Sequence, residues 1–256
     1  MLLTLFVIGL FSGIVTGLLS VGGGIILICF LMILPPLISN THFPMKTITC
    51  FSIMQAFFTT LSGGFYYVRN KLVAPKIVAA TGIPAMVGGI IGVLLANHFS
   101  DFILRIIFAS FAVGSAVIMH IPNRGADEAK PFSFTVKSWT ISICSGFVIG
   151  ILGGLVGVAA GFIFVPMMTL YYKLPIKKAI GTSLITCFLL SIGSLISKLS
   201  VGVIPFTEVG MLIIGGIIGA QIGGRITKKL SSVKLKRIAA YSILLVSFKL
   251  LFDLLF

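Results

Sequence analysis

Gly13-Ile-Val-Thr-Gly17-Leu-Leu-Ser-Val-Gly22-Gly-Gly24 has a counterpart in Gly150-Ile-Leu-Gly-Gly154-Leu-Val-Gly-Val-Ala-Ala-Gly161, 137 residues further along the chain. Further matches follow in the same order. Phe43-Pro-Met-Lys46 pairs with Leu174-Pro-Ile-Lys177, and Ser52 with Ser183. Gly88-Gly-Ile-Ile-Gly92 recurs as Gly215-Gly-Ile-Ile-Gly219, and Leu104-Arg-Ile106 is echoed by Lys236-Arg-Ile238. Collinear matches over both halves mark an internal repeat, which governs the reading of everything between.

The material being repeated is membrane protein. Of 256 residues, 58% are hydrophobic and 9% charged, and the mean hydropathy is +1.20. A soluble domain carries roughly 25% charged residues, so much of this apolar surface must face lipid. Within lipid the backbone must satisfy its own hydrogen bonds, as helices or a closed barrel. Barrel strands alternate apolar and polar residues, whereas Ile103–Met119 and Ile238–Phe252 are continuous apolar runs. The expected fold is an all-α polytopic bundle.

Breakers and charges divide the chain into ten apolar segments at 2–19, 23–38, 47–68, 76–97, 102–120, 138–156, 160–172, 179–198, 206–224 and 233–254. A full span needs about 20 residues. Segments 2 and 7 are short and join segments 1 and 6 through small-residue turns, so each of these pairs reads as a broken or re-entrant hairpin. The net charge is +14, with the basic residues in short loops. On alternating sides, fifteen of them fall on one side and four on the other. The positive-inside rule makes the first side cytoplasmic and puts both termini outside. Counting each hairpin as a single crossing gives eight spans and a split of eleven to eight, which nearly erases the asymmetry.

Five segments per half is an odd number, so the second half enters the membrane upside down. The expected organisation is a first repeat over 1–120, a polar cytoplasmic linker over 121–137 and a second repeat over 138–256. Inverted repeats are common among secondary transporters. The N-terminus lacks a basic n-region, so a cleaved signal peptide is not expected. A basic balance here means topology, not nucleic acid, because no basic patch with stacking aromatics is present.

Candidate chemistry concentrates at the turns. Ser20-Val-Gly22-Gly23-Gly24 is not a P-loop, since no Lys-Ser or Lys-Thr follows. Three glycines instead place a helix break in the membrane, and broken backbone survives there only inside protein or beside a cavity. A helix starting at Gly24 aims bare N–H groups at that cavity, where they attract anions. Gly157-Val-Ala-Ala-Gly161 is the matching, weaker break. Ser52 and Gln55 on segment 3, Thr182 and Ser183 on segment 8 and Gln221 on segment 9 are polar groups within spans, able to donate to an oxyanion or to bond between helices. Glu208 is the one candidate for proton coupling, and no midplane carboxylate is present. Cys29, Cys50, Cys144 and Cys187 lack metal or disulfide spacing, and His42, His98 and His120 sit at segment ends. Neither a metal site nor a catalytic arrangement is expected.

The string Gly13-xxx-Gly17-Leu-Leu-Ser-Val-Gly-Gly-Gly, its degenerate copy at Gly150–Gly161 and Pro175-Ile-Lys177-Lys-Ala-Ile-Gly181-Thr182-Ser183 together resemble the sulfite exporter TauE/SafE family, also called the toluene-sulfonate uptake permease family. The resemblance covers nearly the whole chain. It implies transport of sulfur-containing anions such as sulfite, sulfonates or sulfoacetate, with no cofactor. Departures fall at Cys29, where the second copy has Pro166, and at Ala159-Ala160, where the first has Gly22-Gly23. The expected protein is a multi-pass secondary transporter of the cell membrane working by alternating access, with export as the expected direction. The substrate would lie among Ser20, Gly22, Gly23, Gly24, Ser52, Gln55, Gly157, Gly161, Thr182, Ser183 and Gln221. An anion channel or a non-transporting membrane subunit is the alternative. The expected partners are a small anion and the lipid bilayer, not nucleic acid, and a homodimer is left open.

Overall fold

The computed structural model describes residues 2–20, 23–39, 43–104, 106–107, 110, 135–200, 206–231 and 234. Eight helices are described over their full length: α1 Leu2–Leu19, α2 Gly23–Ser39, α3 Met45–Arg69, α4 Pro75–Ala96, α5 Val136–Val156, α6 Gly161–Leu170, α7 Ile176–Leu199 and α8 Phe206–Lys229. They match segments 1–4 and 6–9 to within a few residues. Most of segment 5, the linker and segment 10 lie outside the described residues.

Proline and glycine set the boundaries. Pro44 and Pro175 are the N-caps of α3 and α7, and Pro75 opens α4, where a missing N–H costs nothing. A capping box between Thr135 and Ser138 starts α5. Six helices are long and apolar enough to cross a membrane: α1, α3, α4, α5, α7 and α8. Helix α6, with ten residues, is about 15 Å long, half of a bilayer's hydrocarbon core.

Helices α3 and α7 are the most buried of the six and form the centre. They run antiparallel: Gly64 faces Ile185, while Tyr67, further along α3, faces Gly181, earlier on α7. Outside them lie two seams of small residues. On one, Gly9, Gly13 and Gly17 of α1 touch the backbone of Leu212, Gly216 and Ala220 of α8. On the other, Gly146, Gly150 and Gly154 of α5 touch Thr81, Ala85 and Gly89 of α4. Both pairs are therefore parallel, and no Cβ fits at the glycines. Close backbone approach lets dispersion hold helices together where lipid removes the hydrophobic driving force.

Helix α1 is also parallel to α3: Gln55 reaches Gly9, and Tyr67 reaches Gly17. Had α1 and α2 formed a single crossing, α1 and α3 would be antiparallel, so the eight-span count does not hold. The outer faces carry Phe11, Phe65, Ile83, Val148, Ile196 and Ile214, all exposed, as a lipid-facing band requires.

Basic residues segregate by end. Lys177 Nζ donates to the Lys228 carbonyl (3.2 Å), and the Ala74 N–H donates to Thr182 Oγ1 (3.0 Å). These contacts gather Arg69, Lys71, Lys76, Lys173, Lys177, Lys178, Arg225, Lys228 and Lys229 at one end of the bundle. At the opposite end Lys46 Nζ donates to the Asn97 carbonyl (3.5 Å), with Lys198 nearby.

Candidate functional site

Two helix breaks meet inside the bundle. The first follows α1. The Ser20 N–H closes the helix on the Thr16 carbonyl (2.7 Å), and Ser20 itself is left-handed at φ +56°, an uncommon state for a residue with a side chain. Helix α2 then begins at Gly23. The second break follows α5. Gly157 at φ +74° forms a Schellman-type end, with its N–H on the Gly154 carbonyl and that of Val158 on Gly153. Ala160, left-handed at φ +50°, leads into α6, whose N-terminus has no side-chain cap.

The breaks are in direct contact. The Ser20 carbonyl lies so close to Gly161 that any side chain there would overlap it. A Cβ on Gly24 would stand 2.9 Å from Val158 Cγ1 and 3.4 Å from Ser52 Oγ. Each break places the C-terminal end of one helix, with its negative dipole, beside the N-terminal end of the next, with its positive one.

Between them is a small hollow, with about 20 Å³ available to water-sized centres, enough for a water or two. Thr16, Ser20 and Gly24 line it from the first break, Gln55, Ala56, Thr59 and Thr60 from α3, Val158, Ala159, Gly161 and Phe162 from the second break, and Cys187 from α7. No charged side chain is among them. Of the residues singled out in the sequence, Ser20, Gly24, Gln55 and Gly161 form its wall. Ser183 stands behind it, taking a hydrogen bond from Ser20 Oγ (3.1 Å). Ser52 is fully buried beside Gly24, and its hydroxyl has no hydrogen-bond partner among the described residues.

Other expected residues have structural positions. Gly157 packs on Thr49. Thr182 accepts from the Ala74 N–H and donates to the Lys178 carbonyl (2.7 Å), tying α7 to the start of α4. Gln221 Nε2 donates to the Ser62 carbonyl (2.7 Å) and hydroxyl (3.0 Å), joining α8 to α3. Glu208 lies in the first turn of α8 and does not line the hollow. Gly22 is outside the described residues, and Gly23 is the first residue of α2. No group of three metal-binding side chains occurs among the described residues.

Sequence reasoning missed Thr16, Thr59, Thr60, Val158, Ala159, Phe162 and Cys187. A signal was present for some. Thr16 stands in the repeated string itself, Thr59 is one turn beyond Gln55, and Cys187 one turn beyond Ser183.

A model of the family described as sulfite exporter TauE/SafE matches residues 5–250. The chain is 26% identical to the probable membrane transporter protein YunE of Bacillus subtilis (strain 168), over 97% of both chains. It is likewise 26% identical to the probable membrane transporter protein YdhB of the same organism, over 88% of this chain and 89% of the relative. A probable membrane transporter protein of Methanocaldococcus jannaschii is 26% identical over 91% of this chain and 88% of its own. No solved structure matches the chain.

Proposed function

Because the chain belongs to the sulfite exporter TauE/SafE family and is a membrane transporter, we propose that it is a secondary carrier of small sulfur-containing anions, of sulfite, sulfonate or sulfoacetate type, working by alternating access in the cell membrane. The observation that carries this is the hollow at the junction of two helix breaks. The N-termini of α2 and α6 approach it from the two breaks, and the unpartnered Ser52 hydroxyl stands beside the first. Fixed amide dipoles and a free hydroxyl bind an anion without burying a permanent positive charge. The substrate lies between Gly24 and Gly161, with Ser20, Ser52 and Ser183 around it.

Recurring contacts support an inverted repeat, and with it the mechanism. Contacts recur with both partners shifted together. Lys46 reaches Asn97 and Lys177 reaches Lys228, each across 51 residues. Gly88 meets the Phe147 carbonyl as Gly219 meets that of Leu10, and Gly92 meets Ile151 as Gly223 meets Ile14. By contact the partner of Gly88 is thus Gly219, one turn beyond the position given by the identical Gly-Gly-Ile-Ile-Gly strings. The antiparallel crossing of α3 and α7 is what mates in an inverted pair require. Each glycine seam joins helices from different halves, so the bodies that move are composite: α1, α3 and α8 in one, α4, α5 and α7 in the other.

For an anion moving alone, an inside-negative potential favours export by about 2.3 kcal/mol per charge per 100 mV, which sets the proposed direction. The test is flux in proteoliposomes over sulfite, thiosulfate, sulfoacetate and chloride. Saturable transport of a sulfur anion is expected, and Gly24→Leu, which would press on Val158 and Ser52, is expected to abolish it with membrane insertion intact. Wild-type flux in that variant would remove the site, and non-saturating flux would make the protein a channel.

A further inference from the structure

The α1 and α3 wall of the hollow accepts hydrogen bonds and has none left to give. Thr16 Oγ1 donates to the Ser12 carbonyl (2.8 Å), Thr59 Oγ1 to the Gln55 carbonyl (2.8 Å) and Thr60 Oγ1 to the Ala56 carbonyl (2.6 Å). A hydroxyl has one proton and two lone pairs, so none of the three has a proton left to offer a ligand in the hollow. The Gln55 amide hydrogens go to the Gly9 carbonyl (3.1 Å) and Ser12 Oγ (2.6 Å), leaving its Oε1 free to accept. The expectation that Gln55 donates to an anion therefore meets the opposite polarity.

Three further facts bear on what fits such a wall. Helix α1 ends at the hollow, bringing the negative end of its dipole. The space, about 20 Å³, suits a water or two or one dehydrated small cation. No carboxylate lines it, and neutral oxygens without carboxylates do not compensate the dehydration of a divalent ion.

We infer that the hollow binds one small monovalent cation of sodium size, held by the neutral oxygens of Thr16, Gln55, Thr59 and Thr60. Helix C-termini that end inside the bundle, together with neutral oxygens, are a recurrent way of holding a coupling ion in secondary transporters. The repeat mates of Thr16, Gln55, Thr59 and Thr60 are Gly153, Thr186, Leu190 and Ser191, so two of the four oxygens are missing from the second half and one ion is held per chain. The cation fills the described hollow; the anion donors, Ser52 and the amides of α2 and α6, border it on the other side and take the anion when the two composite bodies part. A monoanion bound beside this cation crosses as a neutral pair. The potential-driven export proposed above holds for an anion moving without this cation, whereas the neutral pair moves down the summed concentration gradients.

The test uses the purified full chain in detergent without any sulfur anion. Thermal unfolding is compared in sodium, potassium and N-methylglucamine gluconate at equal ionic strength. A saturable sodium-specific rise in Tm of about 5 °C is expected. Thr16→Val and Thr59→Val remove one oxygen each and should lose most of that rise, while Thr60→Ser keeps its oxygen and should retain it. Equal Tm in sodium and N-methylglucamine for the wild type, or an undiminished rise in both valine variants, overturns the proposal. The anion carrier is separable: sodium-independent flux with no sodium effect on Tm removes the cation site alone, and a sodium effect on Tm without anion flux removes the carrier alone.

Discussion

Ser52 is fully buried and its hydroxyl has no partner, a state that costs about 1–3 kcal/mol. Ser194 and Ser197 of α7 share this state, so what sets Ser52 apart is its place beside Gly24 at the first break. Ser52→Ala should therefore leave Tm unchanged or raise it, while lowering anion flux about tenfold through loss of one hydrogen bond to a charged ligand. Gln221 is the contrasting case. Its amide hydrogens are both used on Ser62, so Gln221→Ala should destabilise by about 1 kcal/mol and leave flux per folded molecule at the wild-type level. Thermal unfolding and proteoliposome flux, measured on both variants, check the pair. A fall in flux for Gln221→Ala with none for Ser52→Ala would reverse the assignment.

Individual elements are held by seams that tolerate no side chain. A Cβ on Gly13 would run into the Gly216 carbonyl, and one on Gly150 into that of Ala85. Neither obstacle is a side chain that can swing away. Gly13→Val and Gly150→Val should each destabilise by at least about 3 kcal/mol, read as a lowered Tm and a loss of monodisperse protein. Gly210 lies on α8 with no described residue within 4 Å of an added Cβ. Gly210→Ala should stabilise by about 0.5–1 kcal/mol, since alanine has less conformational freedom to lose in a helix. Composition alone does not separate these glycines: all three lie in helices, and only the presence or absence of an opposing backbone tells them apart.

At the scale of the whole molecule, helix directions fix which loops share a side. Lys71 and Lys173 lie at the end shared with Lys177 and Lys228, and Asn97 lies at the other with Lys46. The crowded basic end is proposed to face the cytoplasm. In a background without Cys29, Cys50, Cys144 and Cys187, a membrane-impermeant maleimide should label Asn97→Cys in intact cells, and Lys71→Cys and Lys173→Cys only after permeabilisation. Labelling of Asn97→Cys and Lys71→Cys from one side would contradict the bundle itself, whereas a simple exchange of the two sides would contradict only its orientation.

The membrane class, the extents of the eight described helices and the two breaks were written in the chain, because each depends on neighbours in sequence. Apolar run length determines a span, and proline or clustered small residues determine where it stops. Collinear strings such as Gly13–Gly24 and Gly150–Gly161 are also where the expectation of a repeat comes from. The opposing partner of each glycine, the separation of Gln221 and Thr182 from the hollow and the inclusion of Thr16 and Thr59 in its wall were decided only by tertiary packing. So was the polarity of that wall. A threonine in a sequence can give or accept a hydrogen bond, and which one it offers a ligand depends on the carbonyl that already holds its proton.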